Sequence, residues 1–207
     1  MKAFIDKYKH AWVLLYAFIY MPCFLYLEHN VTTDFHLIYT PIDDMIPFLE
    51  IFIIPYLLWF AFVAAAGIYL FFTDAGDFYR FTAFLFVGMS VFLINSFLYP
   101  NGHLLRPTHF ERDNIFVDMV LHLYQTDTAT NIFPSIHVYN SIGVWIAVAH
   151  NQALKKKTWL QVGTAILAIL IILSTMFLKQ HSAWDMIGAV VLAIPVYIIV
   201  YRLKRFR

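Results

Sequence analysis

Long apolar segments, each about the length that crosses a lipid bilayer, constrain this chain more than any other feature. A helix rises about 1.5 Å per residue, so about 20 apolar residues span the hydrocarbon core. Of the 207 residues, 61% are hydrophobic and only 13% are charged, which excludes an ordinary soluble domain. We predict an all-α, integral membrane bundle of six transmembrane helices in a single domain over residues 1–207. The six predicted spans are residues 11–27, 46–72, 80–99, 135–149, 158–178 and 183–203.

The basic residues divide unevenly between the two faces that six spans would create. One face receives both termini and the loops near 73–80 and 150–157, and the other receives only Arg106, Arg112 and Lys179. Because basic loops stay in the cytoplasm, we predict a multi-pass protein of the cell membrane with both termini cytoplasmic. The basic residues of that predicted cytoplasmic face are 11 of the 14 in the chain: Lys2, Lys7, Lys9, Arg80, Lys155, Lys156, Lys157, Arg202, Lys204, Arg205 and Arg207.

Two long segments are predicted on the non-cytoplasmic side. Residues 28–45 are acidic and carry histidines. Residues 110–124, between spans three and four, have the pattern of an amphipathic helix whose apolar side carries Phe116, Val120 and Leu123. We expect this helix to lie in the membrane interface, as a lid or a lipid entrance.

Three side chains suited to phosphate-ester cleavage reach that same predicted face. His137 begins span four, while His181 and Asp185 lie where span six begins. Residues four apart share one face of a helix, so Asp185 can bond one ring nitrogen of His181 and leave the other free to attack phosphorus. His137 can then protonate the leaving oxygen. The predicted catalytic residues are therefore His181, His137 and Asp185.

Further residues are candidates to bind the phosphate. Arg106 offers a bidentate guanidinium. Ser135 follows Pro134 in the first turn of predicted span four, where its hydroxyl and nearby backbone N–H groups would face an anion. Three other candidates have equally good structural interpretations. The hydroxyls of Ser174 and Thr175 can bond within their own helix, and Lys179 can extend from the interface toward water.

Three motifs in this order resemble those of the type 2 phosphatidic acid phosphatase superfamily. The family patterns are Lys-x6-Arg-Pro, Pro-Ser-Gly-His and Ser-Arg-x5-His-x3-Asp. In this chain they read Tyr99-x6-Arg106-Pro107, Pro134-Ser135-Ile136-His137 and Ser174-Thr175-x5-His181-x3-Asp185. The resemblance covers roughly residues 46–203, which we take as the motif-bearing core.

The resemblance implies a six-helix membrane fold that needs no metal or other cofactor. His181 would be the nucleophile that forms phosphohistidine, with Asp185 as its partner and His137 as the general acid. Arg106 and Ser135 would bind the phosphate.

Two departures from the family pattern remove phosphate-binding cations. Tyr99 stands in place of the lysine, and Thr175 in place of the arginine of the third motif. The candidates to compensate for them are Lys179, Asn131, Gln180 and His103. Together with Arg106, Ser135 and Thr175, we take Asn131 and Lys179 as predicted phosphate-binding residues. The segments 43–48, 54–56 and 133–137 look more like the branch that includes inositol phosphorylceramide synthases, whose members can transfer a head group between lipids.

Four hypotheses about function follow. The leading one is a lipid phosphatase that hydrolyses phosphate monoesters or pyrophosphates of lipids at the non-cytoplasmic face, with a rate that rises and then falls with pH. Its nearest rival is a phosphodiester head-group transferase on the same scaffold. The others are a metal-dependent hydrolase with His137, His181 and Asp185 as ligands, and a non-catalytic lipid transporter or lipid-binding protein. The expected partner is a lipid phosphate from the bilayer, and no nucleic-acid partner is expected.

Overall fold

The computed structural model describes residues 6–203, and helices dominate this part of the chain, which confirms the predicted all-α class. Four of the basic residues counted above, Lys2, Lys204, Arg205 and Arg207, lie outside the described residues. In chain order the helices are α1 (Lys9–Asn30, 3₁₀ over Lys9–Tyr16), α2 (Pro41–Met45), α3 (Glu50–Thr73, 3₁₀ over Glu50–Phe52), α4 (Ala75–Leu98), α5 (Ile115–Thr126), α6 (Ile136–His150), α7 (Thr158–Phe177) and α8 (Ala183–Tyr197, with a π-helical turn Ile198–Arg202). Two short strands, β1 (His36–Leu37) and β2 (Asn101–Gly102), pair in parallel.

Five of these helices are long and apolar enough to cross a membrane: α1, α3, α4, α7, and α8 with its π turn. The prediction of six spans is not confirmed, because α6 has only 15 residues and extends about 22 Å. Helix α6 packs against α3, α4, α7 and α8. Since its neighbours cover it, α6 does not need the full apolar length of a helix that faces lipid.

Helix α6 nevertheless runs between the two ends of the bundle. Near its start, Asn95 of α4 donates to the carbonyl of Phe133 (3.0 Å). Just after its end, Asn151 donates to Asp77 in the first turn of α4 (2.8 Å). We call these the site end and the opposite end. The start of α1 lies at the opposite end, because His10 bonds the carbonyl of Phe71 (2.9 Å).

The central contact of the bundle joins α4 and α6 through glycines. Tyr139 of α6 covers Gly88, and its hydroxyl donates to the carbonyl of Phe84 (2.9 Å). In return, Leu85 and Phe84 of α4 lie directly over Gly143 of α6. Small residues at such crossings let helices approach closely, which is the main source of packing energy where lipid surrounds the bundle.

The predicted amphipathic helix exists as α5 but begins at Ile115, five residues later than predicted. The side chain of Asn114 sets this start by accepting the N–H groups of Phe116 and Val117 (3.0 and 3.1 Å). The predicted apolar side packs inward, with Val120 fully buried in a cluster with Ile53 of α3. Whether α5 also contacts the membrane interface stays a prediction.

Candidate active site

The two histidines of the motifs meet at the site end. His137 lies in the first turn of α6, and His181 lies in the turn that joins α7 to α8. Their ring centroids are 5.8 Å apart in an edge-on arrangement. The fold therefore brings together the two imidazoles that the sequence separates.

Asp185 orients His181 as the spacing predicted. Its Oδ2 lies 3.3 Å from Nδ1 of His181 and accepts the N–H of Ser182 at 2.8 Å. A carboxylate at Nδ1 favours the tautomer with the ring proton there, in which Nε2 carries the lone pair. The same carboxylate forms a capping box with Ser182 at the start of α8, so the helix start holds Asp185 beside His181.

His181 is uncharged in its surroundings. Burial, and then the nearby positive charge of Arg106, lower the pKa of His181 to about 3. An imidazole can attack phosphorus only in its neutral form. The electrostatics thus suit the nucleophilic role that the motif predicts.

Aromatic rings hold His137 on its other side. Its ring stacks on Tyr56 with centroids 4.7 Å apart, and Trp59 lies 4.3 Å away. Its Nδ1 has no hydrogen-bond partner among residues 6–203. This nitrogen remains available to a ligand.

Ser135 caps α6. Its hydroxyl accepts the N–H of Val138 (3.4 Å), and its own N–H donates to the carbonyl of Asp185 (3.2 Å). The next N–H groups, of Ile136 and His137, are the first of the helix and have no carbonyl in a preceding turn to bond. Such a helix start can accept an anion, as predicted.

Arg106 is held by protein groups. Its guanidinium donates to the carbonyls of Tyr124, Asp127 and Thr128 (3.2, 2.8 and 2.9 Å) and to Oε1 of Gln180 (2.7 Å). Four nitrogen–oxygen contacts leave little of the fork that would grip phosphate. In this structure Arg106 ties the loop after α5 to the turn that carries His181.

Three other predicted positions also have protein partners. The Thr175 hydroxyl donates to the carbonyl of Ile172 in its own helix (2.8 Å), which is the structural alternative left open above. Lys179 donates to the carbonyls of Asp43 and Ile46, each at 2.6 Å. Tyr99, at the lost lysine position, stacks on His36 with centroids 4.0 Å apart. None of these side chains lines the cavity described next.

A small cavity of about 50 Å³ borders both histidines. It has room for roughly three or four water-sized spheres. Two amides on its wall are buried and incompletely bonded: Nε2 of Gln180 and Oδ1 of Asn131 find no partner within the described chain. The lining residues are Phe24, Glu28, Phe92, Asp127, Thr128, Thr130, Asn131, Ile132, Ile136, His137, Gln180 and His181.

Sequence reasoning missed Asp43. This buried carboxylate of α2 accepts the Ser182 hydroxyl (2.6 Å) and the N–H of Ala183 (2.8 Å), and so it caps α8 from a distant segment. The pattern Thr40-Pro41-Ile42-Asp43 shows a capping box for α2 itself. Nothing in the sequence links Asp43 to the turn after His181.

The metal-dependent alternative gains no support from side-chain placement. Among the described residues, no group of three or more His, Cys, Asp and Glu side chains is arranged to hold a metal ion. The proposed ligands His137 and His181 meet edge to edge, and Asp185 is engaged with His181 and the start of α8.

An apolar helical bundle with a paired-histidine site at one end defines a multi-pass, membrane-type protein. A sequence model of the PAP2 superfamily matches residues 103–207, which is half of the chain and includes Arg106, His137, His181 and Asp185. The chain belongs to the PAP2 superfamily, whose members are typically phosphatases or phosphotransferases. No curated protein and no solved structure matches the chain significantly. The likeness to the inositol phosphorylceramide synthase branch stays a prediction.

Proposed function

We propose that this protein is a membrane-embedded phosphatase that removes phosphate from lipid phosphate monoesters or pyrophosphates. The observation that carries the proposal is the arrangement of a half-buried His137 with the buried His181 and Asp185 at one end of an apolar bundle. A lipid can present its head group to this end while its chains remain in the bilayer.

In the first step, the lone pair on Nε2 of His181 forms a bond to phosphorus and the bond from phosphorus to the lipid oxygen breaks. His137, in its protonated form, donates a proton to the departing oxygen, so the lipid leaves as an alcohol. Asp185 holds the proton on Nδ1 and stabilises the positive charge that develops on the imidazole.

In the second step, water attacks phosphorus and the bond from phosphorus to Nε2 breaks. His137, now neutral, takes the proton of the water, and inorganic phosphate leaves. The enzyme returns to its starting state without a metal or other cofactor.

Gln180 is the best candidate to replace a missing cation. Arg106 donates to its Oε1, which leaves Nε2 as a free donor on the cavity wall. With the first N–H groups of α6, this amide supports the phosphoryl oxygens. Arg106 then acts through Gln180, as a positioning residue.

A second candidate is the head-group transferase. It is favoured by the absence of two family cations, at Tyr99 and Thr175, together with the engaged guanidinium of Arg106. A diester carries less negative charge than a monoester and needs fewer cations. The chemistry at His181 is the same, and the acceptor is a lipid hydroxyl instead of water.

The test is release of labelled phosphate from lipid phosphates in detergent with chelator. We expect His181→Ala to lose at least about a thousandfold in kcat, and His122→Ala, at an exposed histidine of α5, to keep wild-type activity. Brief incubation should also label the wild-type protein through an acid-labile bond that His181→Ala lacks. Full activity of His181→Ala would overturn the proposal, and label found in a second lipid would favour the transferase.

A further inference from the structure

The cavity beside the two histidines has an acidic wall. Glu28, from the end of α1, and Asp127, from the end of α5, both line it. A site built only for a phosphate dianion would place positive charge here, because two carboxylates repel it. This chain instead lacks two family cations and carries two carboxylates on the cavity wall.

A buried, unpartnered acceptor lies on the same wall. Asn131 lines the cavity and is 6% exposed, and its Nδ2 donates to the carbonyl of Leu27 (3.2 Å). Its Oδ1 has no partner in the described part of the chain. A buried acceptor left unbonded costs free energy, so it indicates a ligand that donates hydrogen bonds.

The carboxylates are not neutralised by ion pairs with protein cations. Within residues 6–203, neither Glu28 nor Asp127 forms an ion pair. Glu28 accepts the N–H of Thr128 (2.8 Å), and the nearest guanidinium, Arg106, is bonded to backbone carbonyls and Gln180. Burial, and then the charge of Glu28, raise the pKa of Asp127 to about 6. The guanidinium of Arg106 lies near enough to stabilise these carboxylates in part, and the Tyr56 hydroxyl lies 3.5 Å from Oδ2 of Asp127. Two carboxylates beside one guanidinium still leave an excess of negative charge that a cation would stabilise.

We infer that Glu28, Asp127 and Asn131 bind a primary ammonium group of the substrate, while its phosphoryl group lies against His181 and Gln180. A primary ammonium has three N–H donors, and these three side chains offer three acceptors. The small volume of the cavity, about 50 Å³, favours a primary ammonium over a trimethylated one.

The ammonium site and the phosphoryl site lie side by side in this small cavity. The ammonium and the phosphate of the substrate must therefore be close together in the molecule. An ammonium two carbons from the ester oxygen of the phosphate meets this requirement. That unit occurs in sphingoid-base phosphates, which are monoesters, and in ethanolamine phospholipids, which are diesters. The inference rests on the proposed function, since it assumes that phosphorus is presented to His181.

The first test measures binding without turnover, in the His181→Ala variant in detergent. The probes are sphinganine 1-phosphate and its N-acetyl derivative, which differ in the ammonium. Fluorescence of Trp59, which packs on His137, reports binding. Hydrogen bonds to a charged group predict about tenfold tighter binding of the ammonium form, or more. Equal dissociation constants would overturn the inference.

The second test locates the ammonium site. Glu28→Gln and Asp127→Asn, each combined with His181→Ala, should bring the ratio of dissociation constants toward one. Asp118→Asn, which removes an exposed carboxylate of α5, should preserve the ratio. Melting curves and gel-filtration profiles confirm that each variant is folded. An undiminished ratio in both folded cavity variants would place the ammonium elsewhere and overturn the assignment.

Turnover by the wild-type protein distinguishes a monoester substrate from a diester substrate. It also tests the catalytic proposal separately from the ammonium site. Free phosphate from sphinganine 1-phosphate would identify the monoester. Phosphoethanolamine released or transferred from phosphatidylethanolamine, but not from its N-acetyl derivative, would identify the diester. Equal, His181-dependent turnover of ammonium and acetylated substrates would sustain the catalytic proposal and overturn the ammonium site. Ammonium-dependent binding without turnover of any substrate would sustain the ammonium site and overturn the catalytic proposal.

Discussion

At the scale of single residues, the candidate site depends on side chains that hold the reacting groups in place. Asp43 bonds the turn that connects His181 to α8, and Lys179 in turn bonds the carbonyl of Asp43. The hydroxyl and N–H donors on Asp43 are buried with it, so the loss of one acceptor leaves a donor unsatisfied. The geometry of His181 is thus coupled to the segment before α3.

Substitution Asp43→Asn tests this coupling. The amide keeps one acceptor oxygen but presents an NH₂ group to either Ser182 or Ala183, so the turn should shift. We expect kcat for lipid phosphate to fall by roughly ten- to a hundredfold, since small displacements of reacting groups carry such costs. The matched control is Asp44→Asn, because Asp44 is exposed and bonds only Tyr39 at the surface. Equal activity of Asp43→Asn and wild type would contradict the positioning role.

The buried His103 gives the stability a defined dependence on pH. Its Nε2 donates to the carbonyl of Gln180 (2.9 Å). Burial first, and then the neighbouring His181 and the charge of Arg106, lower its pKa to about 3. In the unfolded chain the pKa is about 6.5. Between these values the unfolded state binds the proton and the folded state does not, so stability is lost as pH falls through 6.5 toward 3.

We therefore expect the melting temperature in detergent to drop less between pH 7 and pH 5 in His103→Gln than in wild type. Glutamine can still donate to the Gln180 carbonyl but takes up no proton. Asp127 titrates in the same range in both proteins. The difference between their melting temperatures as a function of pH therefore reports the titration of His103. Parallel pH curves for the two proteins would refute the assignment.

At the scale of elements, the short helix α6 carries one of the two histidines and packs against four other helices. Its contact with α4 depends on Gly88, where an added Cβ would lie 2.1 Å from the ring of Tyr139. That ring is buried, stacks on Phe84 and donates its hydroxyl to a carbonyl, so it cannot move aside. The position of His137 follows from this packing.

Substitution Gly88→Ala should destabilise the protein by about 1–3 kcal/mol, the usual cost of overpacking a core, and should lower activity by displacing α6. Gly163→Ala in α7 is the matched control, since a Cβ there has no neighbour within 4 Å. Helix propensity predicts a neutral or slightly stabilising effect for it. Melting curves of both variants provide the measurement, and an unchanged melting temperature for Gly88→Ala would show that the contact is not tight.

At the scale of the whole molecule, the bundle has two ends, and the site lies at only one of them. The predicted sidedness places the site outside the cytoplasm, on the strength of the basic residues at the opposite end. Cys23 is the single cysteine of the chain, so reporter cysteines are easily introduced after Cys23→Ser.

Asp34→Cys, in the loop at the site end, should react with an impermeant maleimide in intact cells. Lys156→Cys, in the exposed loop at the opposite end, should react only after the membrane is permeabilised. The reverse pattern would place the histidines on the cytoplasmic face and would overturn the predicted topology, without affecting the chemistry proposed for His181.

Local chemistry explains what the sequence by itself determined. Apolar length predicted the five long helices, and the i, i+4 spacing predicted the His181–Asp185 pair, because both depend on residues close together in the chain. The amphipathic pattern found α5 but missed its start, which depends on the Asn114 cap. The count of six spans is not confirmed, because burial of α6 by four helices is not visible in its own composition.

Only the tertiary structure decided which polar groups meet. Arg106 and Lys179 were predicted to bind phosphate, yet the fold supplies each with protein acceptors. Conversely, Asp43 reaches the turn after His181, and Glu28 meets Asp127 at the histidine cavity. These contacts join segments separated by about a hundred residues or more, so they depend on how the helices pack. The residue pattern of a single helix does not specify which distant segments it will contact. These contacts are determined when the helices pack into the bundle.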